Sequence, residues 1–167
     1  MLQSVKSTAV VYYSRSGHTH TAAVQIARTL GAERYRLTVD RYGGRLGYLV
    51  AAYDSLRQSM PEITSTPPAL RGFRAVVFCA PIWTSYPATP LRSFLRGHPP
   101  LPGTLGLFLT CGQDAPQDKA VAMAESDLGR SFAVHGHLGN GVARKDVMEK
   151  RIEEFCAQLQ AQIKVPA

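Results

Sequence analysis

The chain has 167 residues, 45% of them hydrophobic, and a formal net charge of +7 at pH 7. That length builds one core without disulfides or metals, so a single domain over residues 1–167 is expected. No apolar run approaches the length of a membrane span, the amino end Met1-Leu-Gln-Ser-Val-Lys6 is too short and polar for a secretory signal, and the basic residues are scattered without the aromatic interleaving of single-strand nucleic-acid binders.

In chain order, Thr8–Tyr13 reads as a buried strand rich in valine and tyrosine. Thr19–Leu30 reads as a helix stopped by Gly31, and Glu33–Val39 as a second strand. After a glycine-rich loop, Leu46, Leu49, Val50, Tyr53, Leu56 and Met60 fall at helical spacing, and such a stripe is expected to face the core. Pro61 and Thr64–Pro68 end that helix. Phe73–Ala80 is the clearest strand, followed by a short helix over Pro87–Arg96. Thr104–Thr110 is a fourth strand, Gln117–Leu128 a helix, Ser131–His135 a short fifth strand and Arg144–Ile163 an amphipathic closing helix. Regular alternation of this kind predicts an α/β protein, a three-layer α/β/α sandwich around a five-stranded parallel sheet of order 2-1-3-4-5. Right-handed crossovers put the carboxyl ends of all strands on one edge. Three loops gather there: Ser14–Thr19, Pro81–Thr89 and Cys111–Gln117.

The first loop lies in Ala9-Val-Val-Tyr-Tyr-Ser-Arg-Ser-Gly-His-Thr-His-Thr-Ala22. Ser14, Ser16 and Thr19 bring hydroxyls to a helix N-terminus, where unpaired amides and the helix dipole favour an anion. Plain N-capping uses the same residues. The position at the first strand–helix junction, where such folds hold ligands, favours a single phosphate. The second loop, Pro81-Ile-Trp-Thr-Ser-Tyr-Pro-Ala-Thr-Pro90, carries the only tryptophan. Trp83 either packs as a lid or offers a flat face for stacking, and a phosphate loop one strand away favours stacking. In the third loop, Cys111 and Gly112 sit where amides can meet a polar ring edge. The three cysteines, Cys79, Cys111 and Cys156, have no C-x-x-C or metal-ligand spacing, which fits buried thiols in a reducing cytoplasm. No metal site is expected.

The segment Tyr12-Tyr-Ser14-Arg-Ser16-Gly17-His18-Thr19 resembles the phosphate loop of the flavodoxin-like FMN-binding family, and Ala80-Pro-Ile-Trp83 ahead of Pro90-Leu-Arg-Ser-Phe94 is similar to that family's ring-flanking loop. The likeness spans nearly the whole chain, and Asp40–Met60 resembles a subgroup of small flavodoxin-like oxidoreductases. The resemblance implies FMN as cofactor. Ser14, Arg15, Ser16, Gly17, His18 and Thr19 would surround its phosphate. Pro81, Ile82, Trp83 and Thr84 would flank the isoalloxazine, and Cys111, Gly112 and Gln113 would meet its pyrimidine edge. It also implies electron transfer from a nicotinamide or a reductase to a quinone-like or protein acceptor, and a homodimer across the flavin edge. One-electron carriers of that family usually have an acidic surface and a glycine in the ring-flanking loop, where a peptide reorients with the redox state. This chain is basic and has no glycine between Ala80 and Arg96. An FMN-dependent oxidoreductase is therefore expected, with a flavodoxin-type carrier as the alternative. A receiver domain lacks its acidic cluster here, and a low-molecular-weight phosphatase lacks an arginine six residues after any cysteine.

Overall fold

The computed structural model describes residues 6–112, 117–139 and 145–164. Strand β1 (Lys6–Tyr12) leads through the first loop into helix α1 (His18–Leu30), which ends on Gly31 in the left-handed conformation. Strand β2 (Glu33–Arg36) and a 3₁₀ turn precede α2 (Gly47–Arg57). Strand β3 (Phe73–Trp83), the two-residue β4 (Tyr86–Pro87) and α3 (Thr89–Arg96) follow. Then come β5 (Thr104–Cys111), α4 (Asp118–Leu128), β6 (Val134–Gly139) and α5 (Lys145–Lys164).

The strand order is β2-β1-β3-β5-β6 with every pairing on that path parallel, and β4 pairs antiparallel with β3 as an added hairpin. This is the expected flavodoxin-like sandwich. Side-chain alternation divides the core into two layers. Ala9, Val11, Val76, Phe78, Leu107 and Leu109 pack with Leu91 and Leu95 of α3 and Ala120, Ala124 and Leu128 of α4. Val10, Tyr12, Val77, Cys79 and Phe108 pack with Ala22, Ala23 and Ile26 of α1 and Ile152, Phe155 and Leu159 of α5.

Several boundaries differ from expectation. Strand β2 stops at Arg36 rather than Val39 because Thr38 turns to the 64–65 connector. Its N–H donates to Ser65 Oγ at 3.0 Å and its carbonyl accepts from Thr64 N–H at 2.9 Å. The last strand is displaced from Ser131–His135 to Val134–Gly139. His135-Gly136-His137 looks like a strand break, yet Gly136 is a packing position. A Cβ there would come within 3.0 Å of Phe155 and 3.1 Å of Phe108. Gly106 is similar, its notional Cβ lying 3.0 Å from Phe155 and 3.3 Å from Leu159. Glycine in a strand thus marks the close approach of α5. Gly106→Ala is expected to destabilise by about 1–3 kcal/mol through overpacking. Urea unfolding checks this, and an unchanged midpoint contradicts such tight seating of α5.

Most of the apolar stripe of α2 reverses its expected direction, although Val50 packs against the core. Leu46, Tyr48, Leu49, Tyr53 and Leu56 are exposed, whereas Gly47, Ala51, Asp54 and Ser55 are buried. The helix lies too close to its neighbours for large side chains to point inward. A Cβ on Gly47 would meet the Tyr42 carbonyl oxygen at 2.1 Å.

Candidate functional site

The first loop hangs between two fixed points. Tyr13 N–H donates to the Cys79 carbonyl at 3.0 Å, and Thr21 N–H closes the first helical bond onto the Gly17 carbonyl at 3.0 Å. Gly17, the N-cap of α1, has φ 96°, a conformation that L side chains resist. Ser14 is buried, and its Oγ accepts from Gly17 N–H at 3.2 Å. Ser16, Gly17 and His18 are exposed, so the turn is open. No side chain caps α1 and no acidic residue occupies its first turn. The first-turn amides of a helix have no acceptor within it, so an anion has donors facing it there. Arg36 of β2 donates to the Ser14 carbonyl at 3.1 Å, bringing a second guanidinium beside Arg15. Burial raises the pKa of the Tyr13 phenol, and the charges of Arg15 and Arg36 oppose the rise. Thr19 Oγ1 lies 2.7 Å from Thr110 Oγ1, tying the first helix to the end of β5.

The second loop is a hairpin rather than an open loop. β3 runs on to Trp83, which pairs with Tyr86, while Ile82 pairs with Pro87. The two-residue tip, Thr84 and Ser85, has φ 49° and 71°. Two consecutive positive φ values belong to a tight hairpin turn that usually selects asparagine and glycine, and a β-branched residue there is strained. Ser55 of α2 holds the tip. Its Oγ donates to the Trp83 carbonyl at 3.2 Å and lies 2.6 Å from Thr84 Oγ1. The Trp83 ring is wedged edge-to-face against Tyr13 at 5.6 Å and Tyr42 at 5.8 Å between centroids.

Beneath Trp83 lies a polar brace. Tyr42 OH donates to Asp54 Oδ2 at 3.0 Å and lies 2.8 Å from Thr89 Oγ1. Arg41 grips the same carboxylate with two bonds, at 2.7 and 3.0 Å. Those bonds hold the Asp54 carboxyl below the usual carboxylate range, while burial and the neighbouring Asp54 push Tyr42 up to about 12. A carboxylate depressed in the folded state stabilises above its unfolded pKa of about 4, and that contribution is lost as pH falls through the lower folded value. The gap in Tm between wild type and Asp54→Asn is therefore expected to be constant from pH 7 to 5 and to close below about pH 4. A gap that persists at low pH contradicts the ionic origin of the brace.

Between the first loop and the hairpin opens a cleft of about 330 Å³, lined by Arg15, Ser16, Tyr48, Ala51, Ala52, Ile82, Trp83 and Thr84. It brings together five residues expected from sequence: Arg15, Ser16, Ile82, Trp83 and Thr84. Ser14, Gly17, His18 and Thr19 form the adjoining turn. Pro81 lines no part of the cleft; its carbonyl closes the hairpin by accepting from Ala88 N–H at 2.8 Å. Tyr86 turns away, its ring facing Lys119 Nζ at 4.6 Å and the Arg92 guanidinium at 5.6 Å. Cys111 and Gly112 stand at the end of β5 outside the cleft lining, and Gln113 lies outside the described residues. Gln117 Nε2 donates to Cys111 Sγ at 3.3 Å, leaving the buried Gln117 Oε1 without a donor among the described residues. None of the three cysteines is in a disulfide, and burial raises the pKa of Cys79 and Cys156. Among the described residues there is no cluster of His, Cys, Asp and Glu able to hold a metal, and no helix long and apolar enough to cross a membrane.

Sequence reasoning missed the α2 wall (Tyr48, Ala51, Ala52), the Arg36 strut and the Ser55 latch. The small residues of α2 were the available signal, since Gly47, Ala51 and Ser55 fall at spacings of four on one face.

Solved structures share the fold. A flavoprotein from Lactobacillus acidophilus NCFM, determined in complex with FMN, superposes with a TM-score of 0.68 at 22% identity, covering 79% of this chain and 93% of that one. The chain has the flavodoxin-like fold. A WrbA-like flavodoxin from Agrobacterium tumefaciens gives a TM-score of 0.59 at 14% identity over 93% of this chain and 96% of its own. A flavodoxin from the domain Archaea gives 0.55 at 13% identity over 95% and 99%. No family model and no curated protein sequence matches the chain.

Proposed function

We propose that this flavodoxin-like chain binds FMN and acts as an oxidoreductase of the cytoplasm. It would take electrons from a reduced nicotinamide or a reductase and pass them to a quinone-like or protein acceptor. The observation that carries the reading is that an uncapped helix N-terminus and an aromatic platform adjoin one cleft, with Arg15 and Ser16 at one end and Trp83 at the other. The neighbour from Lactobacillus acidophilus, solved with FMN, supports the same cofactor.

The residues present fit FMN. Gly17 holds the turn open, and a Cβ there would meet nothing within 4 Å, so the space above it is unfilled. The α1 amides and the Ser14 and Ser16 hydroxyls are donors for a phosphate, and Arg15 and Arg36 supply positive charge. Ile82, Trp83 and Thr84 offer a rigid wall to a flat ring, and Cys111, Gly112 and Gln113 are assigned to its polar edge. Bound FMN supplies hydride acceptance and release, chemistry that no side chain in the cleft possesses. The protein binds, orients and keeps water from one face.

The Ser55 latch favours enzyme over one-electron carrier. A hairpin whose Trp83 carbonyl and Thr84 hydroxyl are both held by Ser55 resists the peptide reorientation that such carriers use. Two measurements test the reading. The purified protein should be yellow, release its colour on acid treatment and regain it with FMN at far lower concentration than with riboflavin. Stepwise reduction should bleach the flavin in one two-electron phase, with rapid bleaching by a reduced nicotinamide; a one-electron-reduced form accumulating in high yield would favour the carrier. Ser16→Ala is expected to weaken FMN about tenfold, the loss of one bond to a charged group, and to leave riboflavin unaffected. Unchanged FMN affinity moves the phosphate away from this turn.

A further inference from the structure

Every exposed large apolar side chain among the described residues belongs to α2 or the residue preceding it: Leu46, Tyr48, Leu49, Tyr53 and Leu56, each between 54% and 71% exposed. Scattered surface hydrophobes need no explanation, but five on one helix make a patch. Leu46, Leu49, Tyr53 and Leu56 repeat at i, i+3, i+7 and i+10, so they form a ridge along the outward face about 15 Å long at 1.5 Å per residue.

The exposed charges on the ridge itself have one sign. Arg45 and Arg57 are exposed on it, and Arg15 reaches over the Tyr48 ring at 5.4 Å from its centroid. Arg57 lies over the Tyr53 ring at 5.4 Å and donates to its hydroxyl at 3.1 Å, so its stem follows the apolar surface. The only acidic residue of α2, Asp54, is buried and consumed by Arg41 and Tyr42.

We propose that α2 is a docking ridge for an anionic bilayer surface. Leucines and tyrosines along the outward face and arginines at its ends, with no free carboxylate on the helix, are the composition of a helix lying in a membrane interface. The net charge of +7 adds attraction to acidic headgroups. A second copy of the chain fits poorly. A two-fold contact through this face would bring Arg45 and Arg57 against those of the second copy with no carboxylate of the helix free to pair them. The closing helix offers no substitute, since Ile152, Phe155 and Leu159 are buried against the sheet. An acidic protein partner would need a groove shaped to the ridge, whereas headgroups and acyl chains rearrange around it. Tyr48 and Ala52 also line the cleft, so docking through α2 would bring its mouth to the lipid, within reach of a lipid-soluble acceptor. The docking rests on the ridge and its charge and is independent of the cofactor.

Co-sedimentation of the full chain with vesicles tests this. Binding is expected to vesicles of phosphatidylcholine with about one-third phosphatidylglycerol, to be weak on phosphatidylcholine alone, and to fall as salt rises. Leu49→Ser with Leu56→Ser should lower it roughly tenfold or more, given the apolar area withdrawn. Arg45→Glu should do likewise, while Arg28→Glu, an equal charge change at an exposed position of α1, should cost little. Circular dichroism and FMN binding should remain those of wild type in all variants. Loss in the leucine variant and in Arg45→Glu but not in Arg28→Glu establishes the ridge. Equal loss in both charge variants with the leucine variant unaffected reduces the effect to bulk charge and overturns it. Absence of vesicle binding overturns it too, and a wild-type dimer that the leucine variant dissociates would assign the face to a second copy. Loss of FMN binding in wild type would instead sink the function proposed above while leaving the vesicle result standing.

Discussion

Trp83→Ala is expected to lower affinity for FMN by about 10- to 100-fold, and for riboflavin by the same factor. Removing an aromatic platform beneath a stacked ring costs about 1–3 kcal/mol, and Trp83 is positioned in advance to deliver it. Tyr13 and Tyr42 hold it edge-to-face, Ser55 fixes its carbonyl, and the bond from Tyr42 to Asp54 keeps one of its wedges in place. Little rotamer freedom is left to lose on binding. Trp83→Phe keeps a π-face and should lose less than about fivefold, since stacking rather than a specific hydrogen bond is at stake. Together with Ser16→Ala the comparison divides the site. The loop variant should separate FMN from riboflavin, and the platform variant should not. Isothermal titration of both ligands reads the result. A Trp83→Ala protein that binds both normally would show that the ring lies elsewhere.

Asp127→Asn is expected to destabilise the apoprotein by about 3–5 kcal/mol, the penalty for leaving one partner of a buried ion pair unmatched. Arg92 of α3 is 1% exposed, and its Nε meets Asp127 Oδ2 at 2.6 Å. Arg96 Nε takes the other oxygen at 2.6 Å from a half-exposed position. Arg92 is also bonded by Gln58 at the end of α2 and lies under the Tyr86 ring, so one guanidinium links α2, α3, α4 and the base of the hairpin. In a chain of this size the loss should lower Tm by roughly 10 °C. The double variant Arg92→Met with Asp127→Leu should recover most of it, because it removes both buried charges and leaves only Arg96, which is half-exposed and can turn to water. Thermal denaturation monitored by circular dichroism decides. A single variant within about 1 kcal/mol of wild type would show that water or the Gln58 amide oxygen already compensates Arg92.

These two sites differ in how visibly the sequence announces them. The turn proposed to hold phosphate is contiguous. Strand, hydroxyls, Gly17 and helix follow one another within a dozen residues, so local rules are enough to read it. The layered sheet was legible for the same reason, because strand–helix alternation and crossover handedness leave few topologies. Trp83 was found by its position at the end of the most buried strand, but the hairpin carrying it was not. Thr84 and Ser85 are poor residues for such a tip, and only the Ser55 latch and the pairing of Trp83 with Tyr86 offset the strain. Arg92 looked like one arginine among many. Its burial depends on Asp127, 35 residues away in sequence.

The amino-acid order by itself determined the strands, the helices, their alternation and the anion-ready turn, since each rests on neighbours a few residues apart. Tertiary structure alone decided which way α2 faces, where β6 begins and what the cleft's third wall is. Those outcomes rest on how closely elements distant in sequence can approach. Gly47 admits Tyr42, Gly136 admits Phe155, and the large side chains of α2 are left facing outward. Hydrophobic periodicity marks an apolar face but cannot say whether a core or a partner covers it.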